Sequence, residues 1–295
     1  MPLVNFIGRH APALLFGLLI FALLLGSAIM FLARFAWLRR DTIWNGVSHV
    51  ITWIQKRPPL RWLEHRFPRL SGTFTRKRLT TTGFLELYLV TGLVLSAALL
   101  LFLALAEDVL EVSRLVAFDH ELATALQNTV TQQQLAFLRS MTLLGSGMVL
   151  SGIGVAVAVA LLLFHKRIVA IGWLVTLMGS GVLNMVLKAS FHRVRPEYST
   201  IGGWSFPSGH AMGSLVTYGM LAYLAARFLP RRPAQMVAIM LLLLVLLIGI
   251  SRIYLGVHYF SDVVAGYSAA IVWLAVCISA IQVAEHREKK KATTS

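Results

Sequence analysis

Long apolar runs alternate with short, mostly basic connections over nearly the whole chain. Seven stretches, at about 11–33, 84–106, 143–164, 168–187, 211–229, 235–251 and 263–284, approach or reach the roughly 20 residues that a spanning helix needs. The sixth reaches that length only if it continues into Arg252. The pattern predicts an all-α fold, a polytopic membrane helix bundle. The first stretch is longer than a signal-peptide core, lacks a basic leader and ends in Arg34, Arg39 and Arg40, so it reads as a retained helix.

Between the first two stretches, residues 34–83 hold eleven Lys or Arg against Asp41 and Glu64. Within them Ile43, Trp44, Val47, Val50, Ile51 and Ile54 recur at helical spacing over 43–55, too short to span. That segment reads either as an amphipathic helix lying in the interface, with Trp44 and Trp53 at headgroup depth, or as a basic linker. Pro58, Pro59 and Pro68 break regular structure after it. The 107–142 loop is acidic instead, and Leu115, Leu122, Leu126 and Leu135 predict a short helix lying against the bundle.

Composition supports the membrane reading: 57% of residues are hydrophobic and only 13% charged, too little polar surface for a water-soluble domain. A lone Cys277 excludes an intramolecular disulfide and a Cys-based zinc site. The net charge of +15 is spread in short runs between apolar segments, which marks topology and argues against a nucleic-acid partner. Twenty of the 27 basic residues fall on one side when loops alternate, and that side is expected in the cytoplasm together with the basic tail 285–295. The other side, extracytoplasmic, carries seven, and it carries the chemistry.

That chemistry lies in three clusters, each at the end of an apolar stretch: Lys188-x6-Arg195-Pro196, then Pro207-Ser208-Gly209-His210, then Ser251-Arg252-x5-His258-x3-Asp262. Taken singly they are ambiguous. Lys188 has the place of a cation snorkelling at a helix end, and Pro207–His210 that of an ordinary helix start. Together they hold three fixed cations, Lys188, Arg195 and Arg252, suited to phosphate oxygens. Ser208 is a candidate N-cap, so the free N–H groups of that turn face an anion, and Gly209 removes a side chain from the approach. His210 is placed to protonate a leaving oxygen. Asp262, four residues after His258 and on one face if the segment is helical, would fix the ring's tautomer and orient its other nitrogen for attack. A metal held by His192, His210, His258 and Asp262 is disfavoured by the adjoining cations, so no metal and no cofactor is expected.

In order, residue type and spacing, the three clusters resemble the tripartite signature of the type 2 phosphatidic acid phosphatase (PAP2) family, whose core is similar to that of vanadium haloperoxidases. The match runs directly over Lys188–Asp262. The resemblance implies a six-helix core over 84–284, preceded by one extra helix and a basic linker in 1–83 and followed by the tail 285–295. It implies His258 as nucleophile, Asp262 as its orienting partner and His210 as acid, with Lys188, Arg195, Ser208, Gly209 and Arg252 holding phosphate oxygens. Phe260 departs from the proline common in the family after the histidine.

The function expected is hydrolysis of a lipid phosphate or diphosphate through a phosphohistidine on the extracytoplasmic face. Undecaprenyl diphosphate comes first as substrate, then phosphatidylglycerophosphate and phosphatidic acid, with membrane lipids as surroundings. A lipid phosphotransferase using the same histidine, and a non-enzymatic lipid transporter or scaffold, are the alternatives; the latter lacks the repeated halves usual in transporters.

Overall fold

A computed structural model of the protein describes residues 82–111 and 114–294. Two compact units divide the chain; Leu95–Ser295 belong to one, and of the other, Phe21–Val94, only the opening turns of the first described helix are included. Among the described residues are eight α-helices and no strand. They are α1 (Thr82–Leu110), α2 (Arg114–Gln127), α3 (Gln132–Leu143), α4 (Gly147–Leu163), α5 (Arg167–Phe191), α6 (Gly209–Phe228), α7 (Arg231–Tyr254) and α8 (Phe260–Thr294).

The six long helices α1 and α4–α8 coincide with the six apolar stretches expected after residue 83. Five segments, 92–110, 132–163, 167–191, 231–254 and 260–285, are long and apolar enough to cross a membrane. Helix α6 is not among them. It carries His210, Ser214, Thr217, Tyr218, Tyr223 and Arg227, and it packs against α4, α5, α7 and α8, so Ser214, Thr217 and Tyr218 are enclosed by protein rather than lipid. The expected first span, the interfacial segment 43–55 and the linker up to residue 81 lie outside the described residues.

Lipid is as apolar as leucine, so helices in a bilayer associate through close packing more than through exclusion of water. The outer faces accordingly keep Met178, Met185, Met240 and Leu163 exposed. Inside, small residues admit large ones: a Cβ at Gly172, Gly179 or Gly249 would collide with Ile281, Trp273 or Tyr267 respectively. The central cluster packs Trp173 of α5 with Met212, Val216 and Met220 of α6 and Ala270 of α8. Polar atoms there are paired: the Trp173 indole donates to the Gly154 carbonyl at 2.8 Å and that of Trp273 to the Thr176 carbonyl at 2.8 Å.

Two expectations change and one condition is met. The single short helix expected in 107–142 is two, α2 and α3, parted at 128–131, where Thr131 caps α3 in a reciprocal box with Gln134. Helix α7 does extend through Arg252, which settles the length of the sixth span. His258 and Asp262 do not share a helical face, because α7 ends at Tyr254 and α8 begins only at Phe260. Between those ends the chain reverses through Gly256 at φ +64°, and a side chain there would also strike Gln127.

Candidate active site

One end of the bundle gathers the C-termini of α5 and α7 and the N-termini of α6 and α8. Each sequence cluster is therefore delivered by a helix end, and the loops between bring them together. Lys188, in the last turn of α5, donates to the carbonyls of Trp204 (2.5 Å) and Ser205 (3.2 Å), holding the loop that leads into α6. Arg195 donates through Nε to the carbonyls of Gly202 and Gly203, each at 3.2 Å, and through Nη1 to that of Val257 at 2.7 Å. Ser208 caps α6, its hydroxyl accepting from the Ala211 N–H, while its own N–H donates to the Asp262 carbonyl at 2.9 Å. The α6 start is thereby fixed to the α8 start, and Gly266 permits the approach: a Cβ there would lie 2.8 Å from the Ser208 oxygen. Gly209 faces Asn184, whose Oδ1 would be 3.0 Å from an added Cβ.

Around His258 the partners determine the ring's state. Its Nδ1 lies 3.4 Å from Oδ2 of Asp262, an acceptor, and its Nε2 lies 3.2 Å from Nη1 of Arg195, a donor. The neutral tautomer with its proton on Nδ1 satisfies both, leaving the Nε2 lone pair directed toward the cations. Burial pushes the His258 pKa down to about 4 against the pull of Asp262, with Arg195 and Lys188 adding to the downward shift, so the ring is neutral at physiological pH. Although the His258–Asp262 pair does not arise from a shared helix, the α8 start restores it: the Tyr259 N–H donates to Asp262 Oδ2 at 2.9 Å.

Arg252 is buried, and its Nη1 donates to the Thr142 hydroxyl of α3 at 2.9 Å. Its Nε is the one buried side-chain polar atom without a hydrogen-bond partner among the described residues. A buried cationic nitrogen left unpaired is costly, and an anion between Arg252 and Arg195 would relieve it. The expected site residues thus grade from buried His258, Asp262, Ser208 and Arg252 to half-buried Lys188, Arg195, Gly209 and His210. His192 lies apart from them in hydrogen bonding, at the left-handed C-cap of α5 with its ring edge-on to Trp204. Among the described residues no three His, Cys, Asp or Glu side chains are grouped to hold a metal ion.

His210 also lines a cavity of about 600 Å³ between α4, α5 and α6, with Asn184, Gly145 and Gly213 beside it. Val155 and Met178, midway along α4 and α5, line the same cavity and are 62% and 70% exposed, so it opens through the side of the bundle between those two apolar helices.

Two charged residues escaped the sequence reading. Arg193 donates from Nη1 to Asp262 Oδ1 (2.7 Å) and to the Ser261 hydroxyl (2.7 Å), and from Nη2 to Asp119 Oδ2 (2.9 Å). Asp119 on α2 is 1% exposed. A signal for Asp119 existed: it stands in register with Leu122 and Leu126 on the apolar face of α2, and an acid on a buried face needs a cationic partner. Arg193 was hidden by Arg195 two residues on.

The PAP2 superfamily model matches residues 169–285, which hold all three clusters. Phosphatidylglycerophosphatase B of Bacillus subtilis (strain 168) is 40% identical over 96 residues, 31% of this chain and 47% of that protein, so the chain spans about half the length of that curated relative. The crystal structure of a transmembrane PAP2-type phosphatidylglycerolphosphate phosphatase from Bacillus subtilis superposes with TM-score 0.59 at 28% identity, covering 63% of this chain and 94% of that one. That of Aquifex aeolicus LpxE gives TM-score 0.44 at 25% identity over 55% of this chain and 95% of its own. With its three clusters at one end of a multi-pass helical bundle, the chain matches the PAP2 superfamily over residues 169–285 and is similar in fold to a PAP2-type phosphatase.

Proposed function

We propose that this protein is a membrane lipid phosphatase that works through a phosphohistidine at His258 and needs no metal. The observation that carries this is the unpaired, buried Nε of Arg252, together with Arg195 Nη1 at 3.2 Å from Nε2 of His258. In the first step Nε2 attacks phosphorus, the bond to the leaving oxygen breaks, and His210, protonated once the bound phosphate offsets the surrounding cations, gives that oxygen its proton. Asp262 stabilises the positive charge that the ring acquires. In the second step His210 takes a proton from water, the water oxygen attacks phosphorus, and the N–P bond breaks to release phosphate and neutral His258. Lys188, Arg195, Arg252 and the α6 start capped by Ser208 and Gly209 hold the phosphate oxygens as charge shifts among them.

The lateral cavity beside His210 supports a lipid substrate that enters from the bilayer. The extracytoplasmic side, supported by the lysine and arginine bias, alone would favour undecaprenyl diphosphate. The similarity in sequence and in structure to a Bacillus subtilis phosphatase named for phosphatidylglycerophosphate favours that monoester, and we place it first. Phosphate release by purified protein from a panel of these lipids, with EDTA present, tests the reading. Release from the monoester is expected to be fastest. No release from any lipid phosphate, or release that EDTA abolishes and magnesium restores, would refute it. In a Cys277→Ser background, a single cysteine at 201 that resists an impermeant thiol reagent in intact cells, yet reacts in lysed ones, would refute the side assigned.

A further inference from the structure

Asp262 has two oxygens with different duties. Oδ2 faces the His258 ring and takes the Tyr259 N–H; Oδ1 takes Nη1 of Arg193 at 2.7 Å. Arg193 therefore presents Asp262 with a full positive charge on the side away from the histidine. Alone, that charge would align the carboxylate and also quench the field it exerts on His258.

The fold does not leave it alone. Nη2 of Arg193 donates to Asp119 Oδ2 at 2.9 Å, and both ends of this ion pair are enclosed, with side-chain exposures of 8% and 0%. Asp119 is held in turn by Ser261, whose N–H donates to Oδ1 at 3.1 Å and whose hydroxyl donates to Oδ2. The guanidinium lies over the Tyr259 ring, 4.3 Å from its centre. Two carboxylates thus share one cation, and the group of three keeps a net negative charge beside His258. Buried interactions act across low dielectric, so one charge at this range weighs heavily.

We propose that Asp119 and Arg193 are positioning residues for the His258–Asp262 pair: Arg193 aligns the Asp262 carboxylate, and Asp119 on α2 cancels the charge that would otherwise quench it. The inference rests on the proposed phosphohistidine reading and adds to it the two groups that set the strength of the nucleophile's partner. Neither touches the phosphate, so the pocket's grip on substrate should be independent of them.

The test compares kcat, KM and orthovanadate inhibition in three variants with the wild-type protein in detergent. Asp119→Asn leaves Arg193 uncancelled, and kcat should fall roughly ten- to a hundredfold, the usual effect of losing a partner one shell out, with KM and the vanadate constant within about threefold. The double variant Asp119→Asn, Arg193→Gln removes the quenching charge together with its counter-charge. It should therefore turn over faster than Asp119→Asn alone, though more slowly than wild type because alignment is lost. Ser261→Ala removes hydrogen bonds but no charge, and should cost less than about threefold in kcat. A purely structural network predicts the reverse order, with the double variant the worst. A double variant no faster than Asp119→Asn, or Ser261→Ala as slow as Asp119→Asn, overturns the proposal. If Asp119→Asn fails to fold, the double variant decides: a folded protein more than a hundredfold below wild type overturns it, and so does loss of fold in both. An inactive wild type would instead overturn the phosphatase reading.

Discussion

The two ends of the bundle handle charge in opposite ways. At the end away from the site, where α6 and α8 finish their crossing, Arg227 meets Glu285 through two parallel bonds of 2.6 Å, with side chains 29% and 18% exposed. Solvent and headgroups reach that pair, and it costs the fold little. At the site end, Arg193 meets Asp119 and Asp262 with both acids fully enclosed, and Arg252 is buried with one nitrogen unpaired. Taking such groups out of water costs several kcal/mol per ion before partners repay it, so a fold that keeps them there does so for chemistry more readily than for stability. Ion pairs of similar length therefore mean different things at the two ends.

The largest test of that contrast is His258→Ala. On the proposed phosphohistidine mechanism, this change should take phosphate release down by a factor on the order of 10⁶, to background. The protein should still fold, because His258 contributes one long bond to Asp262 while the Tyr259 N–H keeps the carboxylate in place. Turnover and thermal unfolding in detergent check both halves. Near-normal turnover would move the nucleophile elsewhere.

Next in size is Arg252→Lys. Lysine keeps a positive charge but has neither the Nε that stands unpaired nor the forked geometry. If that nitrogen waits for a phosphate oxygen, kcat/KM should drop roughly 10²–10³-fold, the cost of losing one fixed donor to developing charge. A drop under threefold would mean that only net charge matters at this position, and the contrast between the two ends would lose its sharpest observation.

Much of this organisation was legible in the chain. The six long helices could be read because apolar runs of membrane length admit few alternatives, and the three clusters because their residue types have little use in lipid other than chemistry. What escaped has a physical reason in each case. Helix α6 is less apolar than its neighbours in one dimension, but only packing shows that four of them surround it. The Asp119–Arg193 pair joins residues 74 apart, and no local periodicity encodes such a contact. His258 and Asp262 meet through a cap at the start of α8 rather than along a helix face, so the spacing of four pointed to the right pair by the wrong geometry.

The smallest effect belongs to the far end, and it is the control for the rest. Glu285→Gln breaks the pair with Arg227 in a place where both partners keep solvent contact. Exposed pairs contribute ~0.2–1 kcal/mol, because each charge is nearly as well served by water or a headgroup and the paired geometry costs side-chain freedom. The variant should therefore release phosphate at the wild-type rate within about twofold, and its melting temperature should fall by no more than about 4 °C for a chain of this size. Raising the salt concentration should erase even that difference, since screening acts on exposed pairs and hardly on enclosed ones. The same salt titration applied to Asp119→Asn should leave its deficit intact. A Glu285→Gln protein as impaired as Asp119→Asn would show that charge at both ends is coupled to turnover through the length of α6 and α8, and that burial is not what separates the two.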